Sequence, residues 1–348
     1  MTEPLRIGIA GYGVVGKRRR HFIDQLPDMR TAAVCDRRFG DQGTLDDGTP
    51  YHSHYQDLLN RDLDALFVCL TNDVAAEVTI AGLNAGLHVF CEKPPGRNLE
   101  DIAAVQVCER AHPGLKLKYG FNHRYHHSIR DALSLISSGD MGKIINLRGV
   151  YGKSKIISFE SDWRTKRAVA GGGILLDQGI HMLDLLRLFA GEFEDVHSFV
   201  DNGFWNHDVE DNAYALMRTG DGKIAFLHSS ATQWEHRFNL DIALTKGGIV
   251  LSGILSGSKS YGAETMSVTH RTDDAGESVL ETRRYEDDLS WAEEIAEFAE
   301  AILTDGNIRF GTSEDAAKTM QLVYRIYCAD RRWKEMWNLS DEMPDQAT

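Results

Sequence analysis

The sequence Gly11-Tyr12-Gly13-Val14-Val15-Gly16 follows an apolar run, residues 5–10, that begins close to the first residue of the chain. The run is typical of a buried parallel strand, and the glycines are spaced as in a turn from such a strand into a helix. The first glycine permits the tight turn, the second lets a pyrophosphate approach the backbone, and the third lets helix and strand pack closely. The sequence therefore predicts that Gly11, Tyr12, Gly13, Val14, Val15 and Gly16 bind a dinucleotide.

A second apolar run, residues 31–35, ends in Asp36, which lies 20 residues beyond Gly16. A carboxylate at this spacing accepts hydrogen bonds from the ribose hydroxyls of NAD. Arg37 and Arg38 follow directly, and an arginine here pairs well with the 2'-phosphate of NADP. We therefore predict NAD as the cofactor, with Asp36 and Arg37 in its site, and NADP stays an alternative. A chance glycine pattern before a solvated strand end is disfavoured, because strand, turn, amphipathic helix, strand and carboxylate arrive in order.

Strand and helix patterns continue to alternate up to residue 122, which predicts a doubly wound parallel sheet, the Rossmann fold, over residues 1–122. Ligands bind such sheets at the carboxyl ends of the strands. Several polar or turn-forming residues occupy these ends and are predicted to complete the cofactor site: Thr71, Asn72, Glu92, Lys93, Pro94 and Asn122.

The pattern changes after residue 122. Short apolar runs separated by turn signals predict antiparallel strands at residues 143–151, 196–200, 213–217, 224–229, 238–244 and 249–251. A helix is predicted near residues 129–136, and amphipathic helices at residues 291–303 and 313–327, the last with a cap at Thr312 or Ser313. The overall prediction is an α/β protein whose second domain, residues 123–348, contains a mostly antiparallel sheet, with the C-terminal helix able to pack back on the first domain.

Composition excludes several classes of protein. The 348 residues include 42% hydrophobic residues, enough for two cores, and 38 basic against 52 acidic residues give a net charge of -14, which disfavours nucleic acid and anionic membranes as partners. Five cysteines without C-x-x-C spacing indicate neither a disulfide scaffold nor a zinc site, and the histidines at 52, 54, 123, 126 and 127 lack supporting ligands, so no metal is predicted. The first residues do not resemble a signal peptide and no apolar run is long enough to span a bilayer, so we expect a cytoplasmic protein.

A second group of polar residues follows the three glycines at 171–173. Asp177, His181 and Asp184 are spaced by four and three residues, so in a helix they lie on one face. Histidine titrates near neutral pH and suits proton transfer, and a carboxylate one turn away can orient it. A solvated polar stripe opposite an apolar face fits the same pattern, and the spacing alone leaves both interpretations open.

The glycine turn, the segment Glu92-Lys93-Pro94 and the Gly-Gly-Gly segment with Asp177 and His181 together resemble the Gfo/Idh/MocA oxidoreductases, the family of glucose-fructose oxidoreductase and inositol dehydrogenase. The resemblance covers nearly the whole chain. It implies a Rossmann domain, a second α/β domain with a large open sheet, a sugar or cyclitol substrate, and a homodimer or homotetramer that uses the outer face of that sheet. At residues 71–77 the chain departs from the usual pattern, since many relatives carry a proline after the threonine and a histidine further on.

The resemblance also implies catalytic roles for three residues. Lys93 matches the lysine that hydrogen-bonds the reacting hydroxyl, and Asp177 and His181 match the acid/base pair. Oxidation of a secondary alcohol requires removal of the hydroxyl proton as hydride leaves for the nicotinamide, so we predict His181 as base and Lys93 as the polarising group, with an exchange of these roles left open. A non-catalytic NAD-binding sensor, known in the same family, is the alternative, but the chain retains all three residues.

The substrate is harder to predict. A basic set near the start of the second domain favours an anionic substrate, such as a nucleotide-activated or carboxylated sugar, or else is a solvated loop. Its members are Arg124, Lys153, Lys155, Arg164, Lys166 and Arg167. Trp163, Trp205 and Trp234 either stack on a sugar ring or belong to the core. The predicted substrate-binding residues are Lys93, Arg124, Trp163, Arg164, Asp177 and His181.

Overall fold

The computed structural model describes residues 3–154, 163–256, 261–272 and 278–344. Two compact units make up the chain: unit 1 comprises Met1–Asn122, Trp291–Lys318 and Met343–Thr348, and unit 2 comprises His123–Ser290 and Thr319–Glu342. Each unit is built around one sheet.

The strands in chain order are β1 (Leu5–Ala10), β2 (Met29–Cys35), β3 (Gln42–Thr44), β4 (Pro50–His52), β5 (Ala65–Val68), β6 (His88–Glu92), β7 (Leu117–Gly120), β8 (Ile144–Gly152), β9 (Phe193–Asp201), β10 (Asn212–Thr219), β11 (Ile224–Ser230), β12 (Arg237–Leu244), β13 (Gly247–Ser252), β14 (Glu264–Arg271) and β15 (Ser278–Tyr285). The helices are α1 (Val14–Ile23), α2 (Tyr55–Leu59), α3 (Asn72–Asn84), α4 (Leu99–Ala111), α5 (His127–Ser137), α6 (Arg167–Ala170), α7 (Ile180–Ala190), α8 (Ser290–Leu303), α9 (Ser313–Ala329) and α10 (Arg331–Trp337). A π-helical segment, Leu175–Gly179, directly precedes α7.

The sheet of unit 1 has the strand order β3-β4-β2-β1-β5-β6-β7. Its neighbouring strands pair in parallel, apart from the antiparallel hairpin of β3 and β4. This order, which reverses at β1, confirms the doubly wound Rossmann fold. The predicted first strand matches β1 at both ends.

The core of unit 1 joins the sheet to α8. The rings of Phe67 and Phe90 stack with their centroids 4.7 Å apart, and Phe298 of α8 meets both edge-on at 5.8 and 5.7 Å. All three side chains are fully buried, as is Ile295 one turn earlier on α8. Because the central strands are covered on both faces, they are continuous apolar runs, which is the signal that predicted them.

The sheet of unit 2 has eight strands in the order β15-β14-β13-β12-β8-β11-β10-β9. Its pairs are antiparallel except for β8 with β11, which confirms a large and mostly antiparallel sheet. Buried and exposed residues alternate along β10, where Ala215 and Met217 are buried while Leu216 is 51% exposed. Helix α7 packs on β8 and β11, so one face of the sheet is covered by helix.

The two predicted C-terminal helices are present as α8 and α9. The backbone N–H of Asp315 donates to Thr312 Oγ1 at 3.1 Å, so Thr312 is the cap of α9. Within the described residues, no helix combines the length and the apolar character that crossing a bilayer requires.

Candidate active site

The glycine turn of unit 1 requires glycine for two separate reasons. Gly11 has φ +93°, and a Cβ there would lie 2.2 Å from the carbonyl oxygen of Cys69. A Cβ on Gly16 would lie 1.9 Å from the carbonyl oxygen of Gly11, so any side chain would separate α1 from the turn. Gly13 is the N-cap of α1 without a side-chain cap, and the nearest atom to a Cβ there is 3.8 Å away. The turn therefore leaves space and backbone N–H groups at a helix N-terminus, which fits a pyrophosphate.

Asp36 lies directly after β2 and holds the turn from the other side. Its carboxylate accepts a hydrogen bond from the backbone N–H of Tyr12 at 3.0 Å and two from the Arg38 guanidinium at 2.8 Å. Burial alone would raise the pKa of Asp36, but the contacts with Arg38 and Tyr12 lower it overall, so the carboxylate is charged. The arginine that contacts Asp36 is thus Arg38, whereas Arg37, which we placed in the cofactor site, is exposed.

The remaining predicted cofactor residues of unit 1 lie at the carboxyl ends of three neighbouring strands. Thr71, which donates to Asp73 at 2.5 Å, and Asn72 follow β5 at the start of α3. Glu92 ends β6, and Lys93 and Pro94, joined by a cis peptide bond, follow it. Asn122 follows β7 and is buried. These strands pair in the order β5-β6-β7, so the sheet brings the residues to one edge.

The Glu92 carboxylate binds a residue that sequence reasoning missed. Its Oε1 accepts a hydrogen bond from Arg19 Nε at 2.6 Å, and its side chain is 13% exposed. Arg19 lies in the run Arg18-Arg19-Arg20 of α1, which by composition looks like a solvated basic face. The apolar periodicity of the helix gives no sign that the middle arginine is buried.

In unit 2, the predicted acid/base pair lies at the junction between the π-helical segment and α7. Asp177 is in the π-helical segment and His181 is the second residue of α7. His181 is 4% exposed and Asp184, one turn later, is completely buried. The interpretation of these residues as a solvated polar stripe is therefore wrong.

Glu210 fixes the start of this segment. Its carboxylate accepts hydrogen bonds from the backbone N–H groups of Gly173 at 2.8 Å and Leu175 at 3.0 Å, and from the Tyr327 hydroxyl at 2.7 Å. A Cβ on Gly173 would lie 2.1 Å from the Glu210 carbonyl oxygen. The glycine before the helix thus allows a close approach of two backbones, and this contact fixes the start of the helical segment that carries Asp177.

A second histidine contacts His181. The ring of His123 stacks on the ring of His181 with centroids 3.8 Å apart and planes within 13°. His123 Nε2 also lies 3.1 Å from the Tyr151 hydroxyl, within hydrogen-bond distance. Sequence reasoning considered His123 as a possible metal ligand and missed this contact, because 58 residues separate the two histidines.

The structure brings three predicted substrate residues of unit 2 together. Arg164 Nε lies 3.5 Å from Asp177 Oδ1, and its guanidinium lies 4.2 Å from the centroid of the Trp163 ring. The other oxygen of Asp177 accepts a hydrogen bond from Gln178 Nε2 at 3.0 Å. Arg164 therefore places a cation beside the Asp177 carboxylate, four residues before His181.

Other members of the predicted basic set have different partners. Both oxygens of Asp184 bind the guanidinium of Arg124, at 2.6 and 2.7 Å, in a buried bidentate pair. The guanidinium of Arg167 donates to the carbonyl oxygen of Asp208 and lies 4.2 Å from the ring centroid of Trp337. Lys153 is buried and Lys166 is exposed, while Lys155 lies outside the described residues. The substrate contact predicted for Arg124 stays a prediction, and the pair with Asp184 gives this arginine a structural partner.

The tryptophans of unit 2 differ in burial. Trp205 packs on a buried cluster with Ile174 and Val209, and its Nε1 donates to the Ala231 carbonyl oxygen at 2.9 Å. Trp234 is 63% exposed. No group of three metal-ligating side chains is found in the part of the chain that the structure describes.

Comparisons with known proteins find matches in both units of the chain. Residues 5–120 match the oxidoreductase family with an NAD-binding Rossmann fold, and residues 129–250 match the Gfo/Idh/MocA C-terminal domain. The D-glucoside 3-dehydrogenase of Escherichia coli is 30% identical over 258 residues, which cover 66% of this chain and 71% of that protein. The myo-inositol 2-dehydrogenase of Thermotoga maritima is 25% identical over 333 residues, 92% of this chain and 94% of that protein.

Solved structures show the same fold. A levoglucosan dehydrogenase in complex with NADH superposes with a TM-score of 0.80 at 19% identity, over 95% of this chain and 98% of that one. The two matched domains, the order of the strands and the glycine turn lead to one conclusion. The chain belongs to the Gfo/Idh/MocA family of NAD-binding oxidoreductases.

Proposed function

We propose that this protein oxidises or reduces one carbon of a sugar, between a secondary hydroxyl and a ketone, with NAD as the preferred cofactor. Relatives named D-glucoside 3-dehydrogenase and myo-inositol 2-dehydrogenase support the reaction class. The observation that carries the proposal is the retention of Lys93, Asp177 and His181 in a chain whose glycine turn and Asp36 fit a dinucleotide. A binding module without catalysis would not need the three side chains.

The residues of unit 1 are proposed to bind the cofactor in two places. Backbone N–H groups at the start of α1 bind the pyrophosphate, and the charged Asp36 carboxylate accepts hydrogen bonds from the adenosine ribose. When bound, the nicotinamide supplies the acceptor or donor of hydride. NADP is the alternative cofactor, because Arg38, which contacts Asp36, is 62% exposed and could bind a 2'-phosphate.

His181 is proposed as the base that accepts the hydroxyl proton, and Lys93 as the ammonium that polarises the same oxygen. A cation beside an oxygen that gains negative charge stabilises the transition state more than the ground state. Asp177 would stabilise the imidazolium that forms when His181 takes the proton. The stacked ring of His123 holds the plane of His181, so the imidazole loses little freedom during proton transfer.

The substrate is proposed to be an uncharged sugar, glycoside or cyclitol. This choice is supported by the partners of two arginines that would otherwise bind an anion, since Arg124 pairs with Asp184 and Arg167 binds the Asp208 backbone. Nucleotide-activated and carboxylated sugars are the alternative substrates and are tested beside the uncharged ones. Trp163 and Arg164, beside Asp177, are the proposed substrate contacts on unit 2.

We also propose a homodimer or homotetramer that buries the exposed face of the unit 2 sheet. Apolar side chains of that face are exposed, among them Phe199 at 78%, Leu216 at 51% and Tyr214 at 40%. Tyr214 pairs directly with Phe199 across β9 and β10, so these rings form a continuous patch. A patch of this kind on a sheet is typical of an interface.

The experiment that tests the function combines binding and turnover. NADH and NADPH are titrated by fluorescence, and absorbance of the reduced nicotinamide then follows a panel of sugars, glycosides, cyclitols and nucleotide sugars. Lys93→Met and His181→Ala are expected to lower kcat on the best substrate about 100-fold or more, with NADH affinity kept within about threefold. Lys143→Met, at an exposed lysine before β8, is the matched control and should keep full activity. Cofactor binding without turnover of any panel member in the wild-type protein would favour the sensor.

A further inference from the structure

Arg19, three residues beyond Gly16 on α1, is completely buried in unit 1. Its guanidinium lies between two aromatic rings, 4.4 Å from the Phe90 centroid and 4.2 Å from the Trp291 centroid. A guanidinium that loses its hydration persists only where charges and hydrogen bonds compensate it. A helix that packs on a sheet normally buries apolar side chains at such positions, so the fold itself does not require an arginine here.

Two carboxylates compensate the charge of Arg19. Its Nε donates to Glu92 Oε1 at 2.6 Å, and its Nη1 lies 2.8 Å from Glu294 Oε2 in an ion pair whose angles fall short of a hydrogen bond. Burial by itself would lower the pKa of Arg19, but the two carboxylates raise it, so the guanidinium stays charged. The absence of a side chain at Gly120 makes room for this pair, since a Cβ there would lie 2.9 Å from Arg19 Nη2 and 3.2 Å from Glu92 Oε2.

Glu92, one of the two partners of Arg19, directly precedes Lys93 in the sequence. A glutamate beside a lysine can pair with it, and this pair would hold the lysine as an ammonium and draw it away from other partners. In this structure the Glu92 carboxylate binds Arg19 inside the unit, so its charge is already neutralised. Because α1 starts at the glycine turn, the same guanidinium links the start of the nucleotide-binding helix to the end of β6.

We propose that Arg19 is a positioning residue for Lys93, which keeps the Glu92 carboxylate away from that lysine and fixes the end of β6 against α1. The proposal rests on the role of Lys93 in the proposed function, and it gives Arg19 no contact with substrate or cofactor. It concerns the reactivity of the Lys93 amine in the protein without added cofactor, so its test needs no known substrate.

Trace acetylation with acetic anhydride at one pH near neutrality, followed by peptide mass spectrometry, measures the rate at which Lys93 reacts, because the amine and not the ammonium is acylated. Arg19→Met is expected to slow acetylation of Lys93 about three- to tenfold, since the released carboxylate pairs with its neighbour. Lys118→Met is the matched control. It removes a second buried cation of unit 1, bound to Glu297 at 3.1 Å and to the Phe310 carbonyl oxygen at 2.6 Å, and leaves the contact of Arg19 with Glu92 in place. Its Lys93 rate should stay within about twofold of the wild type.

The double variant Arg19→Met/Glu92→Gln should recover the wild-type rate, because no carboxylate remains to pair with Lys93. If Arg19→Met does not fold, Arg19→Lys replaces it, with Arg19→Lys/Glu92→Gln as its double variant. Lysine keeps the charge but donates from one nitrogen, so an intermediate rate is expected.

Three results would overturn the proposal: an unchanged rate when Arg19 is replaced, an equal slowing in Lys118→Met, or a double variant as slow as the single one. Failure of the proposed function would show separately, as absent turnover in a wild-type protein whose Lys93 acetylation still depends on Arg19.

Discussion

Replacement of Asp36 by serine should change the cofactor preference, because this carboxylate is both the predicted ribose partner and the ion-pair partner of Arg38. The serine removes a charge that the pair with Arg38 and the Tyr12 N–H hold in place. It also releases the guanidinium, which is already 62% exposed and therefore able to turn towards a phosphate. NADH should bind less tightly to the variant and NADPH more tightly.

The magnitude follows from the interactions lost and gained. A hydrogen bond to a charged group contributes about 1.5–3 kcal/mol, and about 1.4 kcal/mol corresponds to a tenfold change in affinity. NADH should therefore lose about 10- to 100-fold in affinity when the carboxylate is removed. NADPH should gain about 10-fold or more, because its phosphate no longer meets a negative charge and finds the Arg38 fork.

Fluorescence titration of both reduced nucleotides against the wild type, Asp36→Ser and two double variants tests this reasoning. Adding Arg38→Ala should abolish the gain for NADPH, whereas adding Arg37→Ala should leave most of it, because Arg38 is the arginine that contacts Asp36. A shift in the NADPH-to-NADH preference of less than about tenfold, or an equal effect of the two arginines, would refute it.

Three further predictions concern charge, packing and assembly. Burial raises the pKa of Glu294 to about 7, so the native state holds a proton that the unfolded state releases near pH 4.5. The free energy of unfolding should therefore fall as the pH rises between these two values. Thermal melts of Glu294→Gln should lack this fall. Asp184→Asn and Arg124→Met each break a buried ion pair and should lower the free energy of unfolding by about 3–5 kcal/mol in denaturant titrations. The double variant Arg124→Met/Asp184→Asn should lose less than the sum of the two single losses, and additive losses would contradict this. Phe199→Glu should convert the proposed oligomer to monomer in light scattering with little change in NADH affinity, and an unchanged mass would exclude this face as the interface.

Most of unit 1 could be predicted because its central strands are buried on both faces and its turn residues have local reasons to be glycine. The hairpin of β3 and β4 was not predicted, since Gln42–Thr44 is polar and Pro50 begins the second strand. In unit 2, β14 and β15 were also missed. All residues of β15 before Tyr285 are exposed, so this edge strand has no alternation of buried and exposed side chains to detect.

Sequence reasoning could associate candidate site residues where they are neighbours in the chain, and their catalytic roles stay predictions. Asp177 and His181 are four residues apart in consecutive helical segments, so the spacing suggested that they share a face, and the family resemblance favoured a catalytic pair over a solvated stripe. The contacts of Arg124 with Asp184 and of His123 with His181 join residues about 60 positions apart, and a charged or aromatic side chain carries no sign of a distant partner. Arg124 was predicted to contact substrate because it belongs to a basic set near the start of the second domain, and the sequence showed neither its pair with Asp184 nor the stack of His123 on His181.

The charged groups around Arg19 show why the formal charges counted in a sequence differ from the charges that are present in the folded protein. Arg19 and Lys118 are buried cations, and the carboxylates of Glu92, Glu294 and Glu297 surround them, so the cluster has one more acid than base. Burial raises the pKa of Glu294 to about 7, so below neutral pH this carboxyl takes up a proton and the cluster then has two cations and two anions. The charges come from four elements, α1, β6, β7 and α8, so the balance exists only after folding. A substitution that removes one charge should therefore be tolerated best when its partner is neutralised with it.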